Sequence, residues 1–385
     1  MRVLFVSNGH GEAAIAERIA FELIAIEPNA RAEHLALVGD ASFDLMRDVG
    51  PRRAMPSGGL IAMGNVRNIA RDVGSGLVGL TIAQYRFLRG TRGSYDAVVA
   101  IGDVYALMMA LAAGAPVLFV GTAKSVSVAP YGPFEERVLR RARAVFVRDE
   151  ATAARLRLHG LDVEPAANVI VDLFSAPEEA RASNALERFE PALVLLPGSR
   201  ESAYDDARFL LRVVAGLARE YPSIGAVLSV ARSLDPARFA ADAATDGWSV
   251  VRTEDRDMPF SLRDGERDVV RAWRGPLGTI LAGAELALGQ AGTANEAAAA
   301  AGVPVVAFER GLDRKTAWYR KRQSGLLGEA LAILPGDENA AAGVSALLSD
   351  RARRERMGSV GRTRMGAPGG ARRIAQRIAR IVAGA

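Results

Sequence analysis

Cysteine is missing from this chain altogether, which excludes a disulfide framework and a thiolate metal site. Histidine is nearly as scarce. His10, His34 and His159 lie far apart in the sequence, a pattern that argues against a zinc centre, and no metal is expected. Lysine is limited to Lys124, Lys315 and Lys321, so the net charge of +5 is carried almost wholly by arginine. Hydrophobic residues make up 50% of the chain, yet no apolar run reaches the roughly 18 residues of a membrane span. The amino terminus runs from 3–6 straight into a turn and does not read as a signal peptide, so the expected location is cytoplasmic, with attachment at the inner face of the membrane as an option. No nucleic-acid motif and no aromatic–basic alternation occurs. The positive balance therefore points to phosphorylated substrates or anionic lipid, with no nucleic-acid partner.

What is present is a long alternation of apolar strands and helices. A length of 385 residues suits two domains of ordinary size, each able to bury a core. Strand candidates at 3–6, 36–38, 97–101, 117–120 and 144–147 are separated by helical stretches such as 12–27 and 133–143. A second series falls at 192–196, 225–230, 249–252, 286–288, 305–308 and 331–334. Such alternation predicts parallel, doubly wound sheets. The expected division is an acceptor-side domain over 1–172, a linker over 173–190, a nucleotide-sugar-binding domain over 191–364 and a final helix over 365–385 that crosses back to the first domain. That helix has amphipathic spacing at Ile374, Ile378, Ile381 and Val382.

Two glycine-containing turns carry the chemistry. In Leu195-Leu196-Pro197-Gly198-Ser199-Arg200 an apolar strand ends in a turn, and the Arg200 guanidinium leaves the sheet where it can bind a phosphate bidentately. In Gly289-Gln290-Ala291-Gly292-Thr293-Ala294-Asn295-Glu296 a strand end runs into a small-residue helix whose first N–H groups and dipole suit a diphosphate. Glu296, one turn inside that helix, is placed to hold ribose hydroxyls. An ordinary strand-turn-helix crossover explains the second segment equally well on its own. Both turns close predicted parallel strands at the edge where open α/β sheets bind ligands.

These two turns, taken with Ala62-Met63-Gly64 and Ile101-Gly102-Asp103 upstream, resemble the ordered motifs of lipid-A-disaccharide synthases, which are UDP-sugar glycosyltransferases of the GT-B fold. Ser7-Asn8-Gly9-His10-Gly11-Glu12 and Gly121-Thr122-Ala123-Lys124-Ser125 are closer still to the lipid-A-disaccharide-synthase-related group. The resemblance implies two Rossmann-like domains facing across a cleft. It also implies a UDP-sugar donor, N-acetylglucosamine in type, held by Gly198, Ser199, Arg200, Gly292, Thr293, Ala294 and Glu296, and a lipid or membrane-associated acceptor. Transfer is expected to invert the anomeric centre and to need neither metal nor cofactor. Two departures stand out. Glu296 comes three residues after Thr293, where the synthases have four, a rotation of about 100° on a helix. The spacing of three matches the peptidoglycan UDP-N-acetylglucosamine transferase. The synthase turn Gly-Glu-x-Ser-Gly-Asp is replaced by Asn8-Gly9-His10-Gly11-Glu12, so the acceptor need not be a lipid A precursor. A UDP-sugar 2-epimerase of the same fold and a non-catalytic nucleotide-sugar-binding protein are the alternatives.

Glycosyl transfer needs a base for the acceptor proton. His10, between two glycines, titrates near neutrality and serves either as that base or as a cap or phosphate contact. Asp103 matches the region where the synthases carry a catalytically important Asp, and it is equally an N-cap for the helix that follows. Asn8, Gly9, Gly11, Glu12, Met63 and Gly64 complete the expected acceptor side; Glu12 is alternatively a helix-dipole carboxylate. The segment 60–92 mixes large apolar residues with five arginines. It is read either as a surface docking on anionic membrane or as an αα pair with a solvated basic face. Trp273 to Gly278 is placed as a loop that cradles a uracil, or else as core. Gln323 is placed near the donor sugar with nothing to fix it.

Overall fold

The computed structural model describes residues 1–38, 45–53, 77–174, 184–311 and 314–384. The chain forms two compact units, one of Met1–Leu173 with Pro368–Ala385 and the other of Phe174–Ala367.

The first unit holds a six-stranded sheet in the order β3-β2-β1-β4-β5-β6. The strands are β1 (Arg2–Ser7), β2 (Arg31–Ala36), β3 (Arg47–Asp48), β4 (Ala97–Gly102), β5 (Val117–Gly121) and β6 (Ala144–Val147), and all pair in parallel. Such a sheet is buried on both faces, which explains the near-continuous apolar runs in β1, β4 and β5. One face is covered by α1 (His10–Ile26) and by the last helix, labelled α14 (Gly370–Val382). Ile15, Ile19 and Leu23 pack there with Ile374 and Ile378. The buried Asp172 carboxylate secures the start of α14 by accepting from the Gly369 and Ala371 amides at 2.5 and 2.7 Å. The other face carries α2 (Leu77–Gly90), α3 (Val104–Ala110), α4 (Pro133–Leu139) and α5 (Glu150–Leu158), with Leu88, Leu107, Leu139 and Leu156 inside. The short α6 (Val169–Phe174) leads out of the unit.

The second unit holds eight strands in the order β14-β13-β12-β7-β8-β11-β10-β9. They are β7 (Ala192–Leu196), β8 (Gly225–Ser229), β9 (Ser249–Arg252), β10 (Phe260–Asp264), β11 (Arg267–Trp273), β12 (Leu286–Gly289), β13 (Val305–Glu309) and β14 (Leu331–Pro335). Only β10 runs antiparallel to its neighbours. Around the sheet lie α7 (Ala203–Leu217), α8 (Pro236–Thr245), α9 (Leu277–Leu281), α10 (Thr293–Ala301), α11 (Arg314–Leu327), α12 (Ala340–Ser349) and α13 (Arg351–Met365). The alanine run of α10 has a packing cause. A Cβ at Gly358 or Gly361 of α13 would fall 2.3 or 2.4 Å from the carbonyl oxygens of Gly302 and Ala299, so the two helices meet backbone to backbone, and only small side chains fit at the contact.

One strand expectation is corrected. The second strand lies at Arg31–Ala36, not at 36–38, and it carries Glu33 and His34 into the interior because both are partnered. Tyr95 donates to Glu33 Oε2 at 2.5 Å, and the His34 ring meets Ser7 Oγ at 2.9 Å. The β10–β11 hairpin is an addition, closed by Gly265-Glu266 with Gly265 at φ +62.

Candidate functional site

In a doubly wound sheet the strand order reverses at one point, and the crevice outside the carboxyl ends of the two strands there is the usual ligand site. In the second unit the reversal lies between β7 and β12, the strands that lead into the two glycine-containing turns. Leu288 and Gly289 pair with Leu195 and Leu196. The Leu196 carbonyl then accepts from the Gln290 and Ala291 amides at 2.9 and 3.1 Å. Gly198 adopts φ +114, a conformation that favours glycine, and its nearest neighbour in the direction of a side chain is Ala291 Cα at 4.0 Å. The two turns are thus side by side.

Gly292 caps α10 without a side chain, and its carbonyl accepts from the Asn295 and Glu296 amides at 3.1 and 3.3 Å. Gly292 and Thr293 are exposed, as are Ser199 and Arg200, while Ala294 and Glu296 are half-buried. Arg200 has no carboxylate partner among the described residues, whereas two nearby acids are taken: Glu201 by Arg238 and Asp206 by Arg310. The edge therefore offers a helix N-terminus and an uncommitted guanidinium in one place, a combination suited to phosphate. Asn295 was not among the expected residues. It is fully buried beneath the turn, and a Cβ at Gly289 would fall 1.8 Å from its Oδ1, which accounts for glycine at the end of β12. Trp273 follows the core alternative: it is buried, and its indole N–H donates to the Pro276 carbonyl at 3.0 Å.

In the first unit the reversal lies between β1 and β4, where Asn8-Gly9 and Gly102-Asp103 emerge. Gly102 sits at φ +128, and a Cβ there would meet Asn8 Oδ1 at 2.0 Å. Gly102→Ala is expected to cost on the order of 1–3 kcal/mol through backbone strain and displacement of Asn8. A thermal melt matching wild type would show that the turn relaxes freely.

Asp103 caps α3, its Oδ1 accepting from the Tyr105 and Ala106 amides at 3.0 and 3.2 Å. Burial pushes its carboxyl above the usual carboxylate range, and these backbone hydrogen bonds only partly oppose the shift. The cap thus uses one oxygen of a carboxylate that binds its proton more tightly than a free one. Glu12 folds back over Gly9, a Cβ at that position falling 2.5 Å from its Oε2, and it accepts from Thr122 Oγ1 at 3.2 Å. Gly11 is exposed. His10 begins α1, but its side chain lies outside the described residues, as do Met63 and Gly64.

Of the rest of this edge, sequence reasoning quoted Gly121 to Ser125 for its resemblance alone and did not single out Tyr131, Glu135 or Arg148. Lys124 Nζ donates to Glu135 Oε2 at 2.6 Å, and the same oxygen accepts from the Gly132 amide at 2.8 Å. Arg148 donates to the Thr122 carbonyl at 3.4 Å. Tyr131 is buried, and its hydroxyl, packed over Gly121, has no hydrogen-bond partner among the described residues. Burial, with Glu135 and Asp103 nearby, pushes that phenol far up. The visible signal was Pro133-Phe134-Glu135 after Gly132, a capping pattern that turns Glu135 back toward the loop.

The whole chain is similar in fold to several solved structures. The UDP-GlcNAc 2-epimerase of Neisseria meningitidis bound to UDP-GlcNAc matches with a TM-score of 0.57 at 14% identity, over 99% of this chain and 100% of that one. S. aureus MnaA in its co-structure with UDP matches with a TM-score of 0.59 at 13% identity, over 100% and 97%. Acinetobacter baumannii MurG matches with a TM-score of 0.53 at 13% identity, over 98% and 99%. Identities this low speak for the fold alone, which is of the GT-B type with two Rossmann-like units. No protein-family model and no curated protein sequence matches the chain.

Proposed function

We propose that the chain is an enzyme acting on a UDP-sugar, with the diphosphate bound at the β7/β12 edge of the second unit. The observation that carries this reading is the meeting of two glycine-containing turns, the α10 N-terminus and Arg200 at the point where the strand order reverses. In a transfer reaction the acceptor oxygen forms a bond to the anomeric carbon while the bond from that carbon to UDP breaks. Charge then builds on the departing diphosphate, where the Gly292 and Thr293 amides and Arg200 stabilise it. Asp103 takes the acceptor proton. The sugar is of the N-acetylglucosamine type, and the acceptor is a lipid or is membrane-associated.

A 2-epimerase is the second reading, favoured by the three carboxylates Glu12, Asp103 and Glu135 on one edge of the first unit and by the epimerases among the similar structures. Incubation with a panel of UDP-sugars, with and without total lipid extract, separates the two. Release of UDP only with extract supports transfer; a changed sugar in UDP-N-acetylglucosamine alone supports epimerisation; binding without either product would leave a binding protein.

The lipid part rests on the exposed face of α2 and α3. Val78, Ile82, Tyr85, Tyr105 and Met108 are large and exposed, and Thr81 Oγ1 joins Tyr105 Oη at 3.3 Å. A groove of about 500 Å³ runs past Ile82, Tyr85, Arg86, Arg89 and Met109. Apolar side chains flanked by arginines suit an anionic membrane surface; of the segment 60–92, residues 60–76 lie outside the described residues. Replacing Arg86, Arg89 and Arg92 by Gln is expected to remove about 1 kcal/mol of membrane attraction per arginine. The variant should sediment far less with anionic vesicles while binding UDP normally. Wild type that ignores anionic vesicles at low salt, where the attraction is greatest, would remove the docking role.

A further inference from the structure

From the geometry beneath the α10 turn we infer that Gln323 is a positioning residue that aims the Gly292 amide of the diphosphate-binding turn without touching the ligand. This rests on the reading of the second unit as a UDP site.

Gln323, carried by α11, spends its whole amide on the turn and its supports. Its Nε2 donates to the carbonyls of Ala291 and Gly292 at 3.0 and 3.3 Å. Its Oε1 accepts from Asn295 Nδ2 at 3.3 Å and from Arg320 Nη1 at 3.2 Å. Two donations and two acceptances exhaust what a glutamine amide can make. Two carbonyl acceptors on one side and two N–H donors on the other fix which end of the amide faces the turn. Asn295 is itself held, its Nδ2 also donating to the Gly289 carbonyl at 3.2 Å, and Arg320 is buried.

The consequence follows from peptide geometry. In a trans peptide the C=O and the N–H that share the plane point in opposite directions. Drawing the Ala291 carbonyl toward Gln323 therefore points the Gly292 N–H away from it, and drawing the Gly292 carbonyl the same way points the Thr293 N–H away too. Neither N–H has an acceptor among the described residues. The Gly292 carbonyl is also held by the Asn295 and Glu296 amides, so the Thr293 N–H keeps its direction without the clip. The Ala291 carbonyl has Gln323 as its one donor among the described residues, and without it the Gly292 N–H, on a residue with no side chain to resist rotation, loses its fixed direction. Preorganised donors stabilise developing charge because they need no reorientation when it appears. Gln323 therefore acts on the diphosphate through the turn, and the sugar contact expected from the sequence is replaced by this role.

Titrating UDP and uridine separately into wild type, Gln323→Leu and Gln323→Glu tests the assignment. Leucine removes all four bonds. Glutamate keeps the shape and can still accept from Asn295 and Arg320, but its carboxylate cannot donate to the two carbonyls. Both variants are expected to bind UDP at least tenfold more weakly, with uridine affinity unchanged because uridine has no diphosphate to place on the turn. Equal UDP affinity in wild type and both variants overturns the positioning role while leaving the parent reading intact. Parallel loss of UDP and uridine binding overturns it as well, since that marks a general structural role. Wild type that ignores UDP overturns the parent reading and this inference with it.

Discussion

Asp103→Asn is expected to lower turnover by roughly 10²–10⁴-fold, the range for losing a general base, with UDP affinity unchanged. The substitution isolates the proton-transfer role because asparagine is as good an N-cap as aspartate. The side-chain oxygen that accepts from the Tyr105 and Ala106 amides survives, and what is lost is the ability to take a proton. The pH dependence carries a sign. Burial holds the Asp103 carboxyl above the ordinary carboxylate range, so activity in wild type should rise as pH climbs through that raised value. For stability the direction is opposite. A carboxyl that binds its proton more tightly when folded contributes stability below its unfolded pKa and loses it as pH rises through the folded one. At neutral pH the asparagine variant should therefore melt no lower than wild type. Steady-state rates with a UDP titration and a thermal melt check all three statements. Retained turnover in both Asp103→Asn and His10→Asn would place the base elsewhere.

Arg200→Ala is expected to weaken UDP binding by about 1.5–3 kcal/mol, the worth of a hydrogen bond to a charged partner, or about 10–150-fold in Kd. Its exposure and lack of a carboxylate partner among the described residues mean that alanine breaks no ion pair and should leave stability unchanged. Water reaches an exposed guanidinium, so the loss should shrink as salt is added. Calorimetry giving equal UDP affinity for wild type and Arg200→Ala would remove Arg200 from the site.

Much of this architecture was legible because parallel strands buried on both faces read as uninterrupted apolar runs. The stretches at 97–101, 192–196 and 305–308 fall within β4, β7 and β13. What escaped was structure whose burial depends on a distant partner. β2 hides Glu33 and His34 among apolar residues, and nothing local announces that Tyr95 and Ser7 will meet them. The β10–β11 hairpin is dense in arginine and aspartate, and those charges masked the Gly265-Glu266 turn, where glycine at the first central position is itself a hairpin signal. At the site, the glycine turns were visible because backbone conformation writes itself into sequence as glycine. Gln323 and Asn295 were not visible in their roles, since a glutamine on a polar helix looks the same whether it faces solvent or holds two carbonyls. Asp103 was legible as two things at once. The structure realises the cap, and the second oxygen of the same carboxylate is what the proposed chemistry uses.

Phosphorus NMR of UDP during titration with the intact protein tests the central claim most directly, because it reports on the diphosphate itself. The account predicts that both phosphorus resonances shift and broaden until one equivalent of protein is present, and that excess free phosphate does not reproduce the effect of the whole nucleotide. Two sharp, unshifted resonances at excess protein would contradict it.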